Sequence, residues 1–137
     1  MRTRTICVRT KGNTDIIDIT PRLNELIREE ALDDGVIFLS VKGSTAGITT
    51  MEFEPGLAKD LRDTFQKLFP YRADYAHNAR WNDDNGYSHL RSSLLKTNFF
   101  VSVTGGALDL GTWQQLVLLD FDTRERDREI VIKILSS

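Results

Sequence analysis

This chain is short of several things, and each shortage excludes something. It has one cysteine, Cys7, in 137 residues. A single thiol closes no internal disulfide and builds no cysteine-rich zinc knuckle. No apolar run approaches the roughly 20 residues of a membrane-spanning helix, so no membrane partner is expected. Neither sign of charge prevails: 18 Lys and Arg stand against 20 Asp and Glu, a formal net charge of −2. General nucleic-acid binders carry a basic excess, so nucleic acid is not an expected partner either. The opening stretch MRTRTICVRTKGNTD has basic residues with no apolar segment behind them, unlike a secretory signal, and the expected compartment is cytoplasmic. There is no Pro/Gly/Ser-rich linker, no repeat and no low-complexity stretch. One domain over residues 1–137 is expected, long enough to bury about two-thirds of its unfolded surface.

What is present is an alternation of strand-like and helix-like segments. Thr5–Arg9 and Asp15–Ile19 are β-type runs on either side of Lys11-Gly12-Asn13, which predicts a hairpin. Cys7 sits in the first of these runs and is expected as a packed thiol. Thr20-Pro21 has the form of an N-cap with proline at the first helical position, and Leu23, Leu26, Ile27 and Ala31 follow at helical spacing. Val36–Val41 is nearly all apolar, as in a strand buried on both faces, and Ile48–Phe53 is a further strand. Pro55 opens a second helix with Leu57, Leu61, Phe65 and Leu68 on one face, and Pro70 closes it. Residues 71–87 lose the pattern. A third, shorter helix carries His89, Leu90, Leu94 and Leu95. Phe99–Val103, Trp113–Phe121 and Glu129–Leu135 complete the strands. Leu116–Leu119 alternates poorly, as if covered on both faces by a neighbouring subunit or by a helix. The expected class is α+β: a mainly antiparallel sheet or part-open β-barrel with two to three helices in one domain.

Three segments depart from these patterns. Gly43-Ser44-Thr45-Ala46-Gly47 lies between apolar strands. Small residues let a backbone approach a ligand, and hydroxyls with exposed N–H groups suit an anion; a tight turn explains them as well. His77–His89 holds the only two histidines of the chain within 13 residues. Asp83, Asp84 and Asn85 lie between them, and Asn85 shares a helix face with His89 if a helix begins there. Imidazoles and a carboxylate suit a divalent metal, a phosphate group, or acid–base work. The bland alternatives are a helix cap at Asn85 or Ser88, solvated charges at Asp83 and Asp84, and a surface His77. Gly105–Gln115 is glycine-bracketed. Trp113 there is expected as core filler in a bulged hairpin, or the segment lines a pocket with amide donors.

These residues carry a resemblance. Gly-Ser-Thr-Ala-Gly-Ile-Thr-Thr at 43–50, Glu52, Glu54-Pro55-Gly56, Tyr75-Ala76-His77-Asn78, Asp84-Asn85, His89-Leu90 and Leu110-Gly111-Thr112-Trp113-Gln114-Gln115 run in order. Asp120-Phe121-Asp122 and Arg126-Asp127-Arg128 follow them. Together they resemble the YjbQ-like family, some members of which are called secondary thiamine-phosphate synthases. The resemblance implies a part-open barrel assembled as a homotrimer. It also implies a polar pocket between the histidine segment and the Gly-Thr-Trp-Gln turn. The catalytic candidates it points to are His77, His89, Asp84 and Asn85. The ligand-binding candidates are Thr112, Gln114, Ser44 and Thr45, with Arg91 added for its charge and Glu52 as a weaker one. His77, His89 and Asp84 form the tentative metal set, and no cofactor beyond a divalent metal is suggested. Two positions differ from the family: Gly43 stands where many relatives carry histidine, and Lys96 where they often carry glycine. The missing imidazole is either lost or replaced by water or another side chain. Lys96 is tolerated at modest cost if it avoids positive φ.

The leading expectation is a pocket for a small phosphorylated molecule, with the thiamine-phosphate synthase reaction implied by the resemblance. That reaction demands stabilisation of a departing pyrophosphate, for which His77, His89, Arg80 and Arg91 are the available cations. The alternatives are a non-catalytic trimeric module binding an anion or a metal, and a metal-dependent hydrolase.

Overall fold

Four strand-to-strand connections carry the chain from one sheet to the other, and three of them meet at one corner. The computed structural model describes residues 1–136. Strands β1 (Arg2–Thr10), β3 (Gly35–Val41), β5 (Asn98–Thr104), β6 (Ala107–Leu108) and β8 (Arg126–Ser136) form a five-stranded sheet in the order β1-β8-β3-β5-β6. Strands β2 (Asp15–Asp18), β4 (Ala46–Met51) and β7 (Gln115–Asp120) form a three-stranded sheet in the order β2-β7-β4. All pairings are antiparallel. The two sheets make a half-barrel accompanied by four helices: α1 (Thr20–Glu29), α2 (Pro55–Leu68), α3 (Ala76–Trp81) and α4 (Gly86–Leu95). None of the described helices is long and apolar enough to cross a membrane.

The expected hairpin around Lys11–Asn13 does not form. β1 pairs with β8 and β2 with β7, so the turn leads from one sheet to the other. Gly12, Asn13 and Thr14 all take positive φ there (80°, 38° and 66°). The Asn13 and Thr14 amides donate to the carbonyls of Asp122 and Asp120. A Cβ at Gly12 would lie 2.6 Å from the Arg124 carbonyl oxygen, which only glycine accommodates.

Period-2 alternation explains the large sheet. In β1, Ile6, Val8 and Thr10 are buried while Thr5, Cys7 and Arg9 face out, so Cys7 is exposed rather than packed. In β3, Ile37, Leu39 and Val41 are buried and Val36, Phe38 and Ser40 are only partly covered, so this strand is not buried on both faces as expected. β7 is the strand that is. Leu116 and Leu118 join the core under α1, while Val117 and Leu119, with Phe121 just beyond the strand, join Ala58 of α2 and Tyr87 of α4. Helices of the same chain therefore explain its unbroken apolar run. Trp113 precedes this strand and is 74% exposed, not core filler.

Among the helix starts only that of α2 is capped by its own N-cap side chain, and Asn85 precedes α4 without capping it. The Glu54 carboxylate accepts from the Gly56 and Leu57 amides and caps α2, with Pro55 at the first helical position. Within α2, Leu61 and Phe65 pack inward but Leu57 and Leu68 are exposed. At α1 the Thr20 hydroxyl does not cap; it accepts from the Leu116 amide and ties the helix to β7. Lys96, which ends α4, takes φ 77° and ψ 154°. This is glycine's region of backbone space, so the expected avoidance of positive φ does not occur.

Candidate functional site

The connections β1–β2, β3–β4 and β7–β8 cross between the sheets at one corner, and a buried polar network holds it together. Asp120 is fully buried. It accepts from the Thr10 hydroxyl, from Nε and Nη2 of Arg128 at 2.7 and 2.9 Å, and from the Asp122 amide at 3.0 Å. Asp122, also buried, accepts from Arg126 Nε at 2.9 Å, the Thr45 hydroxyl at 3.1 Å and the Thr123 amide at 2.7 Å. Burial alone would raise the Asp122 carboxyl. The Arg126 guanidinium, the Thr123 amide and the Thr45 hydroxyl outweigh it and hold the group below the ordinary carboxylate value.

Helix α4 supplies the opposite wall. Asn85 and His89, one turn apart, share a face as their i, i+4 spacing predicts, and both line a cleft of about 450 Å³. Ser44, Thr45, Arg126 and Arg128 line the other side, with the Lys42–Glu129 ion pair (2.8 Å) among the residues bordering it. Asn82 and Asp84 take left-handed conformations (φ 52° and 55°) and turn the chain between α3 and α4. The Asn78 side-chain oxygen accepts from the Gly86 amide at 2.8 Å and locks that turn. His77 of α3 is thereby stacked on His89, ring centroids 4.4 Å apart and tilted by 39°. Burial, and then the neighbouring His77, lower the His89 pKa; Asp122, Asp83 and the Ser44 backbone oppose this without cancelling it. His89 is thus poised as a neutral imidazole near neutral pH.

The expected site residues divide into four groups. His77, His89, Asn85, Ser44 and Thr45 come together. Asp84 does not join them. Its neighbour Asp83 takes the place beside His77, with Nδ1 to Oδ1 at 3.4 Å. Asn85, its amide nitrogen turned toward Asp83, donates to both Asp83 oxygens at 3.1 and 3.0 Å. Among the described residues no group of three or more His, Cys, Asp or Glu is placed to hold a metal ion, so the set His77, His89 and Asp84 is not assembled. Thr112, Gln114 and Glu52 belong to the far end of the small sheet. Ala46 pairs with Asp120 at the cleft end and Met51 with Gln115 at the other, a separation of roughly 17 Å at the usual strand rise. Gln114 closes its own turn, accepting from the Gly111 amide at 3.0 Å and donating to Thr50 at 3.1 Å. The implied meeting of that turn with the histidines does not occur within one chain.

Arg91 is a core residue, not a cleft residue. It is 1% exposed, lies 4.7 Å from the Tyr87 ring centroid, and donates to the Phe69 carbonyl, Thr14 and Gln66. The arginines the cleft does use, Arg126 and Arg128, were not among the expected site residues, nor were Asp120 and Asp122. A signal for two of them existed: Arg126 and Arg128 are spaced by two, which places both on one face of β8, whereas β7 ends at Asp120 and Asp122 lies beyond it. Another side chain does border the place left by the absent family histidine. A Cβ at Gly43 would lie 2.8 Å from Arg128 Nη1.

A model of UPF0047 proteins, YjbQ-like, matches residues 4–137. A UPF0047 protein of Archaeoglobus fulgidus is 32% identical over 130 residues, which cover 95% of this chain and 98% of the relative. The UPF0047 protein YugU of Bacillus subtilis is 29% identical over 133 residues, 96% of this chain and 98% of the relative. Among solved structures, a hypothetical protein of Aeropyrum pernix K1 superposes with a TM-score of 0.92 at 26% identity, covering 100% of both chains. An uncharacterised YjbQ/UPF0047 protein of Clostridium acetobutylicum superposes with a TM-score of 0.87 at 29% identity, covering 96% of this chain and 99% of that one.

Proposed function

The chain belongs to the YjbQ-like UPF0047 family, and we propose that the corner cleft binds a small phosphorylated molecule. One observation carries the reading: donors from three remote parts of the sequence converge on one cavity. Ser44 comes from the β3–β4 connection, Asn85 and His89 from the N-cap position and first turn of α4, and Arg126 and Arg128 from β8, while the Thr45 hydroxyl is already committed to Asp122. Hydroxyl, amide, imidazole and guanidinium donors together suit the several oxygens of a phosphate group. A cavity of about 450 Å³ is within the usual range for small-molecule sites. Asp120 and Asp122 offset the charges of Arg128 and Arg126. Selectivity therefore comes from directed donors more than from net charge.

His89 supplies the acid–base group of this reading, neutral when the ligand arrives and able to accept a proton. The reaction that fits the family resemblance is thiamine-phosphate synthesis. The thiazole phosphate nitrogen forms a bond to the pyrimidine methylene carbon, the carbon–oxygen bond breaks, and pyrophosphate leaves with the bonding pair. Arg126, Arg128 and Lys42 are the cations placed to meet it. The assembly we propose is a homotrimer, in which a neighbour's Thr112–Gln114 turn reaches the cleft that its own chain keeps it from. A light-scattering mass equal to one 15.6 kDa chain would refute that assembly.

The test is thermal melting with inorganic phosphate, pyrophosphate and thiamine phosphate, each with and without a divalent metal, on wild type and His89→Ala. A ligand at 100 times its Kd stabilises by about 2.7 kcal/mol. A shift with phosphorylated ligands that is reduced in His89→Ala is expected. Melting curves unmoved by all three ligands would overturn the reading, and a shift by metal alone would replace it with a metal site.

A further inference from the structure

Arg128 has an edge that the fold leaves unpaired. A guanidinium carries five N–H donors in a fixed plane. Nε and Nη2 serve Asp120, and Nη2 also serves the Thr45 hydroxyl at 2.7 Å. Nη1 has no hydrogen-bond partner among the described residues. It is not sealed in, since Tyr87 Oη is the one buried side-chain atom among them left without a partner, so the small exposed part of Arg128, 5% of the residue, includes this edge. A cationic donor in such a place is stabilised by whatever acceptor reaches it. Gly43 decides what can. The space where its side chain would stand holds Nη1 at 2.8 Å and Cζ at 4.0 Å and, its two chain neighbours aside, no other described residue within 4 Å. Both residues line the cleft. The absent side chain is therefore an opening between the cleft and the Nη1 edge.

We infer that Arg128 anchors an oxyanion of the ligand, which reaches Nη1 through the opening at Gly43. This rests on the reading of the cleft as a phosphorylated-ligand site and names the group that receives the phosphate. The two carboxylate-facing bonds and the Thr45 bond hold the guanidinium in one orientation, so little side-chain freedom is lost on binding. Two Nη1 hydrogens diverge from one atom, which suits two oxygens of one phosphate group or the bridged ends of pyrophosphate. Lysine at this position would keep the charge but could not face Asp120, Thr45 and the opening together, because it lacks the planar fork. His89 stands across the same cleft, so the anchored phosphate and the acid–base group address one ligand from two sides.

Titration calorimetry with inorganic phosphate and pyrophosphate on wild type, Gly43→Ala and Arg128→Lys tests this. Alanine at 43 closes the opening and presses on the guanidinium, its Cβ standing 2.8 Å from Nη1, without altering any charge. Its φ of +120° will lower the melting temperature, so binding is measured well below it. A second measurement needs no substitution of the observed protein: the Arg128 Nε–H signal of wild type, assigned by its absence in Arg128→Lys, is followed during phosphate titration by NMR. Loss of about 10- to 100-fold in affinity in both variants, the value of a charged hydrogen bond, with movement of the Arg128 signal, is the expected result. If wild type and Gly43→Ala bind pyrophosphate equally and the Arg128 signal stays still, Arg128 is not the anchor, while the phosphorylated-ligand reading survives. If wild type binds neither anion, both fall.

Discussion

Replacing Arg91 with methionine tests whether a cation beside the cleft belongs to the core. The guanidinium is held by hydrogen bonds to the Phe69 carbonyl from Nε and Nη2, to Thr14 Oγ1 from Nη1 and to Gln66 Oε1 from Nη2. Its carbon Cζ stands over the rings of Tyr87, Phe65 and Phe121. Among the described residues no carboxylate lies within ion-pair distance of it, and burial pushes its pKa below the ordinary arginine value. Methionine keeps the stem and removes the fork. Three acceptors lose a charged donor; Gln66 keeps the Tyr71 amide, while the Phe69 carbonyl and the Thr14 hydroxyl cost about 1–3 kcal/mol each when left unmet. Loss of the ring contacts adds about 1–2 kcal/mol, and relief of the buried charge subtracts a comparable amount. The net expectation is a loss of about 3 kcal/mol, or roughly 10 °C in melting temperature for a domain of this size. Circular-dichroism melts and urea titration of wild type and Arg91→Met measure it. Pyrophosphate affinity, measured below the melt, stays unchanged because Arg91 does not line the cleft. A variant as stable as wild type that binds pyrophosphate more weakly would refute the structural role.

Four further outcomes are expected. Asp120→Asn breaks the buried pair with Arg128 and lowers the unfolding free energy by about 3–5 kcal/mol in urea titration. The folded His89 pKa lies below the ordinary 6.5, from burial and then His77, so the unfolded chain binds more protons between the two values. Stability is therefore full above about pH 6.5 and falls as pH drops toward the folded value, a slope that His89→Gln should reduce in melts across that range. Lys96→Gly relieves the backbone at φ 77° and raises stability by about 1 kcal/mol despite glycine's greater unfolded freedom. Cys7 is exposed, so a thiol reagent should titrate it fully in the native protein, and Cys7→Ser should change stability by less than about 0.5 kcal/mol.

Much of the fold is legible because neighbouring residues carry it. The alternation of Ile6, Val8 and Thr10 against Thr5, Cys7 and Arg9 is a two-residue period, and the packed thiol was the mistake of treating Cys7 by type rather than by parity. The unbroken run Leu116–Leu119 announces a strand covered on both faces. Asn85 and His89 fall on one helical face by spacing alone. By contrast α3, six residues with no buried side chain, has no apolar period to read. It is followed by left-handed residues at Asn82 and Asp84, with the Asn78–Gly86 bond holding the turn to α4.

The candidate site is legible only in pieces, for a related reason. Local spacing places the histidines on short elements and sets Arg126 with Arg128 on one strand face. It does not say which of Lys11–Asn13, Gly43–Thr45 and Asp120–Arg128 meet. The Lys11–Asn13 turn looks like a hairpin from its own residues, yet it leads between sheets because β1 finds β8 and β2 finds β7. Those pairings bring Thr45, 83 residues away in the chain, onto Arg128. They also leave Arg128 Nη1 facing the space above Gly43, and they put Gln114 at the opposite end of the strand from His89's cleft. The chain's own periodicities determine its strands, most of its helices and its apolar faces, because each depends on residues within a turn or two of one another. Sheet register and the crossing of three connections decide the cleft, because hydrogen-bond partners from remote segments are chosen by the packing of the whole half-barrel.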